Sequence, residues 1–175
     1  MKRFLQVFGC IFLAAILFSL SYEASAQVNP PAGGFKNAYL SLNKSGKVGL
    51  TYTLWDDQVK KGAYTLCFFW ASWSDEAREE VPYIQAINKK YAGKVKVLGV
   101  TYGDEIQDSM DAIPEWGMTF PHFVFVEDAA PDGQFEIDSI PLVILFGPDG
   151  SIVARDLRGE DIEKAVEEAL KGVSR

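Results

Sequence analysis

Apolar runs and helically spaced apolar positions alternate along the central part of the chain. Tyr64–Trp70 is a continuous apolar run, which is typical of a strand covered on both faces. Ser74–Tyr91 follows it directly, and its apolar residues recur every three or four positions, which predicts an amphipathic helix. The residues on this stripe are Ala77, Val81, Ile84, Ile87 and Tyr91. Lys94–Thr101 predicts a second strand, and a strand–helix–strand unit of this length predicts parallel pairing with a right-handed crossover.

The segments on either side of this unit predict further elements. Alternating residues in Ala38–Leu42 and Lys47–Thr53, separated by turn-forming residues, predict a β-hairpin. Ile106–Trp116 predicts a helix, and Phe123–Val126 predicts a short strand. The pattern therefore predicts an α/β fold that carries an N-terminal β-hairpin extension.

The part of the chain after residue 140 predicts a second hairpin followed by a helix. Leu142–Phe146 and Ile152–Arg155 flank Gly147–Ser151, whose glycine, proline and aspartate residues favour a tight turn. Glu160–Lys171 then shows an apolar stripe at helical spacing. Together with the preceding segments, these elements predict a central mixed β-sheet flanked by helices.

The first residues predict export. Lys2 and Arg3 precede the apolar run Cys10–Leu20, and Ala24–Ala26 is a small-residue cleavage site. The apolar run is shorter than the roughly 20 residues that a membrane-spanning helix needs, so we expect cleavage rather than an uncleaved anchor. We therefore expect a bacterial periplasmic or cell-envelope protein without a stable membrane span after cleavage.

This interpretation divides the chain into three parts. Residues 1–26 are the predicted signal peptide, and residues 27–37, which are rich in proline and glycine, are a predicted flexible lead-in. Residues 38–175 are the predicted folded domain, which is long enough to bury a core of its own.

Charge and cysteine content limit the possible binding partners and the possible thiol reactions. The chain has a formal net charge of −7, which argues against nucleic acid or an anionic membrane surface as partner. Its two cysteines are Cys10 and Cys67, and signal cleavage would leave Cys67 without an intramolecular disulfide partner. Cys67 lies in an apolar run and is typical of a small buried hydrophobic residue, with a reactive thiol as the alternative.

His122 is the only histidine of the chain. We interpret it as a loop or strand-edge residue, because a lone histidine without a second histidine or cysteine nearby is a poor metal site. The acidic residues Asp104, Glu105, Asp108 and Asp111 do not have the spacing of a calcium loop, and we interpret them as a solvated helix face. The sequence predicts neither a metal nor another cofactor.

One segment resembles a known family. Phe69–Trp73 followed by Arg78 is similar to the redox-motif region of TlpA/ResA-type thioredoxin-like proteins, in the wider redoxin (AhpC/TSA-like) group, which reads Phe-Trp-Ala-Ser-Trp-Cys-x-x-Cys-Arg. Pro82 stands inside the helix as in the family, Ile140–Pro141 stands at the family's cis-proline, and Gly147–Gly150 stands at its following hairpin. The resemblance implies a thioredoxin-like fold for nearly the whole predicted domain.

The same resemblance places Ser74 and Ala77 at the two redox cysteines, with Asp75 and Glu76 between them. A dithiol catalyst needs a thiolate nucleophile and a second thiol that releases the mixed disulfide, and serine and alanine supply neither. Two carboxylates at a helix start would also repel a thiolate there. We interpret residues 74–77 as degenerate redox-motif positions in which Ser74 caps the helix, and we predict no catalytic residue. The alternative, Ser74 as a nucleophile with Asp75 or Glu76 as base, lacks the spacing of a triad.

The resemblance also implies a binding surface, because the thioredoxin fold places the active-site helix start beside the cis-proline loop and binds substrate polypeptides there. In this sequence the groove residues are Trp70, Trp73, Ser74, Asp75, Ile140 and Pro141. We expect a redox-inactive module that binds an envelope polypeptide at this groove. The alternatives are a monothiol oxidoreductase or peroxidase-like enzyme that uses Cys67 or a partner's thiols, and a fold that serves only stability or assembly.

Overall fold

The computed structural model of the chain describes residues 36–59, 62–124 and 135–172. The predicted signal peptide, most of the predicted lead-in and the last two residues of the predicted strand Phe123–Val126 lie outside the described residues. Within the described ranges, no helix is long and apolar enough to cross a membrane.

The described residues form one sheet with helices on its faces. The strands are β1 (Lys36–Leu42), β2 (Val48–Leu54), β3 (Tyr64–Trp70), β4 (Val95–Thr101), β5 (His122–Val124), β6 (Leu142–Phe146) and β7 (Ile152–Ala154). The helices are α1 (Trp55–Val59), α2 (Asp75–Lys90), α3 (Ile106–Glu115) and α4 (Glu160–Gly172).

The sheet is mixed, with the strand order β2-β1-β5-β4-β3-β6-β7. The three central strands β5, β4 and β3 are parallel, which confirms the parallel pairing predicted for the strand–helix–strand unit. Antiparallel neighbours extend the sheet on both sides: the hairpin β1–β2 on one side, and β6–β7 on the other. The predicted central mixed sheet with an N-terminal hairpin is therefore confirmed.

The observed element boundaries agree with the predicted ones where capping or turn-forming residues mark the end of an element. The strand β3 has the predicted bounds, and α2 begins directly after Ser74, as predicted. The strand β1 begins at Lys36 rather than Ala38, so the last two residues of the predicted lead-in belong to the hairpin. The helix α1 was not predicted, because five residues are too few to show a helical period.

The strands bury two apolar clusters, one on each face of the sheet. Alternate residues of a strand point to opposite faces, so Phe68 and Trp70 join one cluster while Cys67 and Phe69 join the other. The first cluster includes the buried stripe of α2, which confirms the predicted amphipathic helix. The core therefore fixes α2, and with it the helix start at Ser74, against the sheet.

Candidate functional site

Three loops lie together at one end of the central strands, which we call the site edge. The last residue of β3, Trp70, pairs with Thr101 at the end of the parallel strand β4. Phe69 pairs with Leu142 at the start of the antiparallel strand β6. Residues 71–74, the loop after β4 and the loop before β6 are consequently neighbours, and this edge contains the predicted site.

Ser74 is the N-cap of α2. Its backbone is extended, at φ −95° and ψ 108°, and its Oγ accepts a hydrogen bond from the Ala77 backbone N–H at 3.1 Å. The same hydroxyl lies 3.4 Å from Glu76 Oε2, to which it donates. Ser74 is buried, and its hydroxyl is occupied in both directions. The predicted helix cap is confirmed, and this geometry gives no support to a serine nucleophile.

The other three motif positions have separate surroundings. Ala77 is fully buried and packs in the core cluster on the α2 side of the sheet. Asp75 and Glu76 are exposed in the first turn of α2. Acidic side chains at this position interact favourably with the positive end of the helix dipole. The segment is therefore a well-capped helix start with an acidic outer surface.

Trp73 is the exposed aromatic residue of the edge. Its side chain is 64% exposed, which agrees with its predicted position on the surface. The indole Nε1 donates a hydrogen bond to the Gly103 carbonyl oxygen at 2.9 Å. This bond fixes the ring across the loop that follows β4, so that an apolar surface is presented in one orientation.

Asp104 joins the site loop to α3. Its carboxylate accepts hydrogen bonds from the Ser72 backbone N–H at 2.8 Å, from Ser72 Oγ at 2.8 Å and from Ser109 Oγ at 2.9 Å. Asp104 is half-buried, so its interpretation as part of a solvated helix face is wrong. No local pattern could show this role, because Ser72 is 32 positions away in sequence.

Trp70 is not part of the surface. It is fully buried, with its ring centroid 5.2 Å from that of Trp116 and 5.3 Å from that of His122. Its Nε1 donates to His122 Nδ1 at 3.1 Å. The prediction that Trp70 lines the groove is therefore wrong, because a docked ligand cannot reach a side chain enclosed in the core.

His122 is a core residue, and its interpretation as a loop or strand-edge residue is wrong. It is the first residue of β5, which lies between β1 and β4, and it is fully buried. Gly99 of β4 provides the space, since a Cβ atom there would lie 2.0 Å from His122 Nδ1. Burial lowers the pKa of His122 to about 3, so the imidazole is neutral at ordinary pH. Among the described residues its Nε2 has no hydrogen-bond partner.

Cys67 lies away from the edge, in the middle of β3. It is fully buried in the cluster on the face opposite α2, which confirms that it is a small core residue. Burial raises the pKa of the thiol far above its usual value, since a thiolate would have to form in an apolar environment. The thiol is therefore neutral and enclosed.

The loop before β6 completes the edge. The Ile140–Pro141 peptide bond is cis; Ile140 is partly exposed and Pro141 is buried. The Pro141 carbonyl oxygen accepts a hydrogen bond from the Arg158 guanidinium. Behind this loop lies a polar cavity of about 440 Å³, and Arg155, which lines it, is paired with Glu136 and Asp156.

Only some of the residues predicted to line the groove are therefore at the surface of the site edge. Trp73 and Asp75 are exposed and Ile140 is partly exposed, whereas Ser74 and Pro141 are buried. In the described ranges, no group of three or more histidine, cysteine, aspartate or glutamate residues is placed to hold a metal ion. The arrangement can present the Trp73 ring beside the exposed carboxylates of Asp75 and Glu76.

Comparisons with known proteins give the class of this fold. No protein-family model matches the sequence. A solved structure of the thioredoxin domain of a thiol-disulfide oxidoreductase from Bacteroides vulgatus has a TM-score of 0.59 and 27% identity, covering 79% of this chain and 97% of that one. A thiol:disulfide interchange protein from a Bacteroides species has a TM-score of 0.58 and 27% identity, covering 77% and 88%. The chain therefore has the thioredoxin-like fold, and the predicted fold class is confirmed.

The sequence comparison agrees with this class. The thioredoxin-like protein YneN of Bacillus subtilis (strain 168) is 26% identical over 117 residues, which cover 65% of this chain and 66% of that protein. The match spans just under two thirds of the relative's own length. The chain is thus similar, in sequence and in structure, to thioredoxin-like thiol-disulfide oxidoreductases.

Proposed function

We propose that this chain is an exported, TlpA/ResA-type thioredoxin-fold protein of the cell envelope that binds polypeptide segments and does not exchange disulfides. The observation that carries the proposal is the state of Ser74 at the start of α2. Its Oγ is buried and accepts the Ala77 N–H, so the position that the resemblance aligns with the attacking cysteine serves as a helix cap.

The distribution of sulfur supports the loss of redox chemistry. Neither Ser74 nor Ala77 carries a thiol, and Cys67 lies inside β3 on the face of the sheet opposite α2. The raised pKa of Cys67 disfavours the thiolate that disulfide exchange requires. A monothiol mechanism through Cys67 would need the core to open at every turnover.

The surface at the edge supports polypeptide binding. Trp73 is exposed yet held by its bond to Gly103, and tryptophan is enriched at the energetic centres of protein interfaces because it buries a large area at low entropic cost. Asp75 and Glu76 add negative charge beside the ring, which favours segments that contain lysine or arginine. The proposed ligand is therefore an extended, neutral-to-basic polypeptide that contacts Trp73 and Ile140.

The redox part is tested by following reduction of a disulfide-bonded protein by dithiothreitol, with and without the chain. We expect no acceleration by the parent protein or by Cys67→Ser. The double variant Ser74→Cys with Ala77→Cys is expected to accelerate the reaction, since it supplies both thiols at the helix start. Activity in the parent that disappears in Cys67→Ser would contradict the proposal and indicate a monothiol enzyme.

The binding part is tested by titrating the parent protein with a reduced and alkylated unfolded protein, followed by calorimetry. We expect Trp73→Ala to weaken binding by about tenfold or more, as at an interface hot spot. Tyr83→Ala is the matched control, because Tyr83 is an exposed aromatic residue in the middle of α2, nine positions after the helix cap Ser74. Absence of binding, or equal losses in the two variants, would contradict the proposal.

A further inference from the structure

A second apolar surface lies on β2, three strands away from β4 and its loop. Leu50, Tyr52 and Leu54 are 45%, 66% and 38% exposed, and as alternate residues of one strand they share a face. Among the described residues, β2 is an edge strand of the sheet. Val48–Leu54 contains no charged residue and no proline, although natural edge strands use such residues to prevent pairing.

The backbone of β2 is arranged for a further partner. The Asn43 backbone N–H donates to the Lys47 carbonyl oxygen at 2.9 Å, so these two residues form a hydrogen-bonded pair. Such pairs alternate along an antiparallel ladder, which makes Gly49 and Thr51 the next residues that bond to β1. The N–H and C=O groups of Leu50 and Tyr52 therefore point away from β1, toward the open edge.

We propose that β2 is the interface with a second copy of this chain, formed by antiparallel pairing of two β2 strands about a twofold axis at Thr51. In this register Thr51 lies opposite Thr51 of the other copy, and Leu50 lies opposite Tyr52. Val48 then lies opposite Leu54, so that apolar residues meet apolar residues on one face. The outward groups of Leu50 and Tyr52 form hydrogen-bonded pairs across the axis.

Charge favours a second copy as the occupant. Lys44 and Lys47 lie in the turn that precedes β2, whereas Asp57 follows the end of β2 in α1, and all three are exposed. Antiparallel pairing brings the basic end of one strand to the acidic end of the other, twice in each dimer. The strands themselves are uncharged, so their pairing places no like charges opposite each other, even though the whole chain carries a net charge of −7. The proposal is independent of the function proposed for the Trp73 edge.

The first test is sedimentation equilibrium of the chain from Gln27 onward, which contains every described residue. We expect a concentration-dependent monomer–dimer equilibrium, and we expect Tyr52→Lys to raise the dimer dissociation constant by about tenfold or more. Val153→Lys is the matched control, because Val153 is 47% exposed on β7, the other edge of the sheet, and we expect it to change nothing. A chain that stays monomeric, or a dimer that Tyr52→Lys leaves intact, would overturn the proposal.

The register is tested by cysteine cross-linking, which also covers the case in which Tyr52→Lys fails to fold. Facing residues of a non-hydrogen-bonded antiparallel pair have Cα atoms about 4.5 Å apart, within the range of a disulfide. We expect Thr51→Cys to form a covalent dimer when diamide oxidises the two thiols. Thr53→Cys should not, because Thr53 faces Gly49 in this register. Equal cross-linking of the two variants, or none, would overturn the proposed pairing.

Discussion

Gly99 and His122 show how much a single residue contributes to this fold. The imidazole of His122 occupies the space where any other residue at position 99 would place its Cβ atom. The same imidazole accepts the hydrogen bond of the Trp70 indole, and Trp70 is the last strand residue before the loop that carries Trp73. One missing methyl group thus permits a polar pair to be buried under the site.

Gly99→Ala tests this close packing. The added Cβ would lie 2.0 Å from His122 Nδ1, so either the ring or the strand must move. We expect the free energy of unfolding to fall by about 1–3 kcal/mol, measured by urea denaturation. Gly49→Ala is the strand control, since its Cβ would lie 3.7 Å from the nearest atom, an ordinary contact. Equal stability of the two variants would show that position 99 accommodates a Cβ atom without strain.

For single residues, the sequence predicted the role correctly where that role depends on neighbours in the chain. Ser74 caps the helix that begins at the next residue, and Cys67 is buried by its own apolar strand. Trp70 was misjudged because the resemblance placed it in the groove, although its apolar strand predicted burial. His122 was misjudged because its contact with Trp70 joins residues 52 positions apart, which no local pattern shows. Only a glycine facing the ring, at position 99, could have suggested a buried histidine.

The Asp104 carboxylate connects two elements at the site edge. Asp104 accepts the backbone and side-chain bonds of Ser72 and the hydroxyl of Ser109, so it joins the loop before α2 to the first turns of α3. Trp73 makes its own bond to Gly103, the residue before Asp104. The orientation of the exposed indole therefore depends on the loop that follows β4.

Asp104→Ala tests this connection. It leaves the Ser72 N–H and the Ser109 hydroxyl without their acceptor, so we expect the free energy of unfolding to fall by about 1–3 kcal/mol. Without Asp104 to hold the loop that contains Gly103, Trp73 should become more mobile. Its indole N–H, which NMR observes separately from those of the other three tryptophans, should then exchange with solvent faster. Asp108→Ala, an exposed carboxylate on α3, is the control and should change stability by about 0.5 kcal/mol or less. Unchanged stability and an unchanged exchange rate of the Trp73 indole N–H in Asp104→Ala would rule out this role.

The boundaries of long elements, and of elements that end at capping or turn-forming residues, were the ones that the sequence predicted. The helix α2 has a serine cap, an acidic first turn and an apolar stripe of several turns, and its start was predicted correctly. The hairpin β6–β7 was predicted from its Gly-Pro-Asp-Gly turn. The helix α1 was missed because its five residues depend on packing, with Trp55 and Val59 buried against the sheet.

For the whole molecule, buried His122 makes stability depend on pH. Burial lowers its pKa from 6.5 to about 3, so below pH 6.5 the unfolded chain binds a proton that the folded chain does not. Stability from this group is complete above pH 6.5 and is lost progressively as the pH falls toward 3. We expect a loss of about 1.4 kcal/mol per pH unit within that window.

The measurement is urea denaturation between pH 7.5 and pH 5, in about half-unit steps. His122→Gln is the control, because its amide oxygen can accept the Trp70 bond without titrating. The pKa values of the carboxyls of Asp149 and Glu163 are lowered by hydrogen bonds, so their contributions are lost only at lower pH. At pH 5 we expect His122→Gln to have lost about 2 kcal/mol less than the parent protein, relative to pH 7.5. Parallel profiles for the two proteins would contradict a neutral buried imidazole.

The sequence by itself determined the order of the strands and of the three longer helices, the buried stripe of α2, the cap at Ser74 and the absence of a thiol at the helix start. These features depend on residues that are neighbours in the chain, or on simple counting. Tertiary structure alone decided that Trp70 and His122 are enclosed, that Asp104 connects two loops, and that β2 leaves an uncharged edge. These features arise from strand order and from contacts between residues far apart in sequence, which local periodicity does not encode.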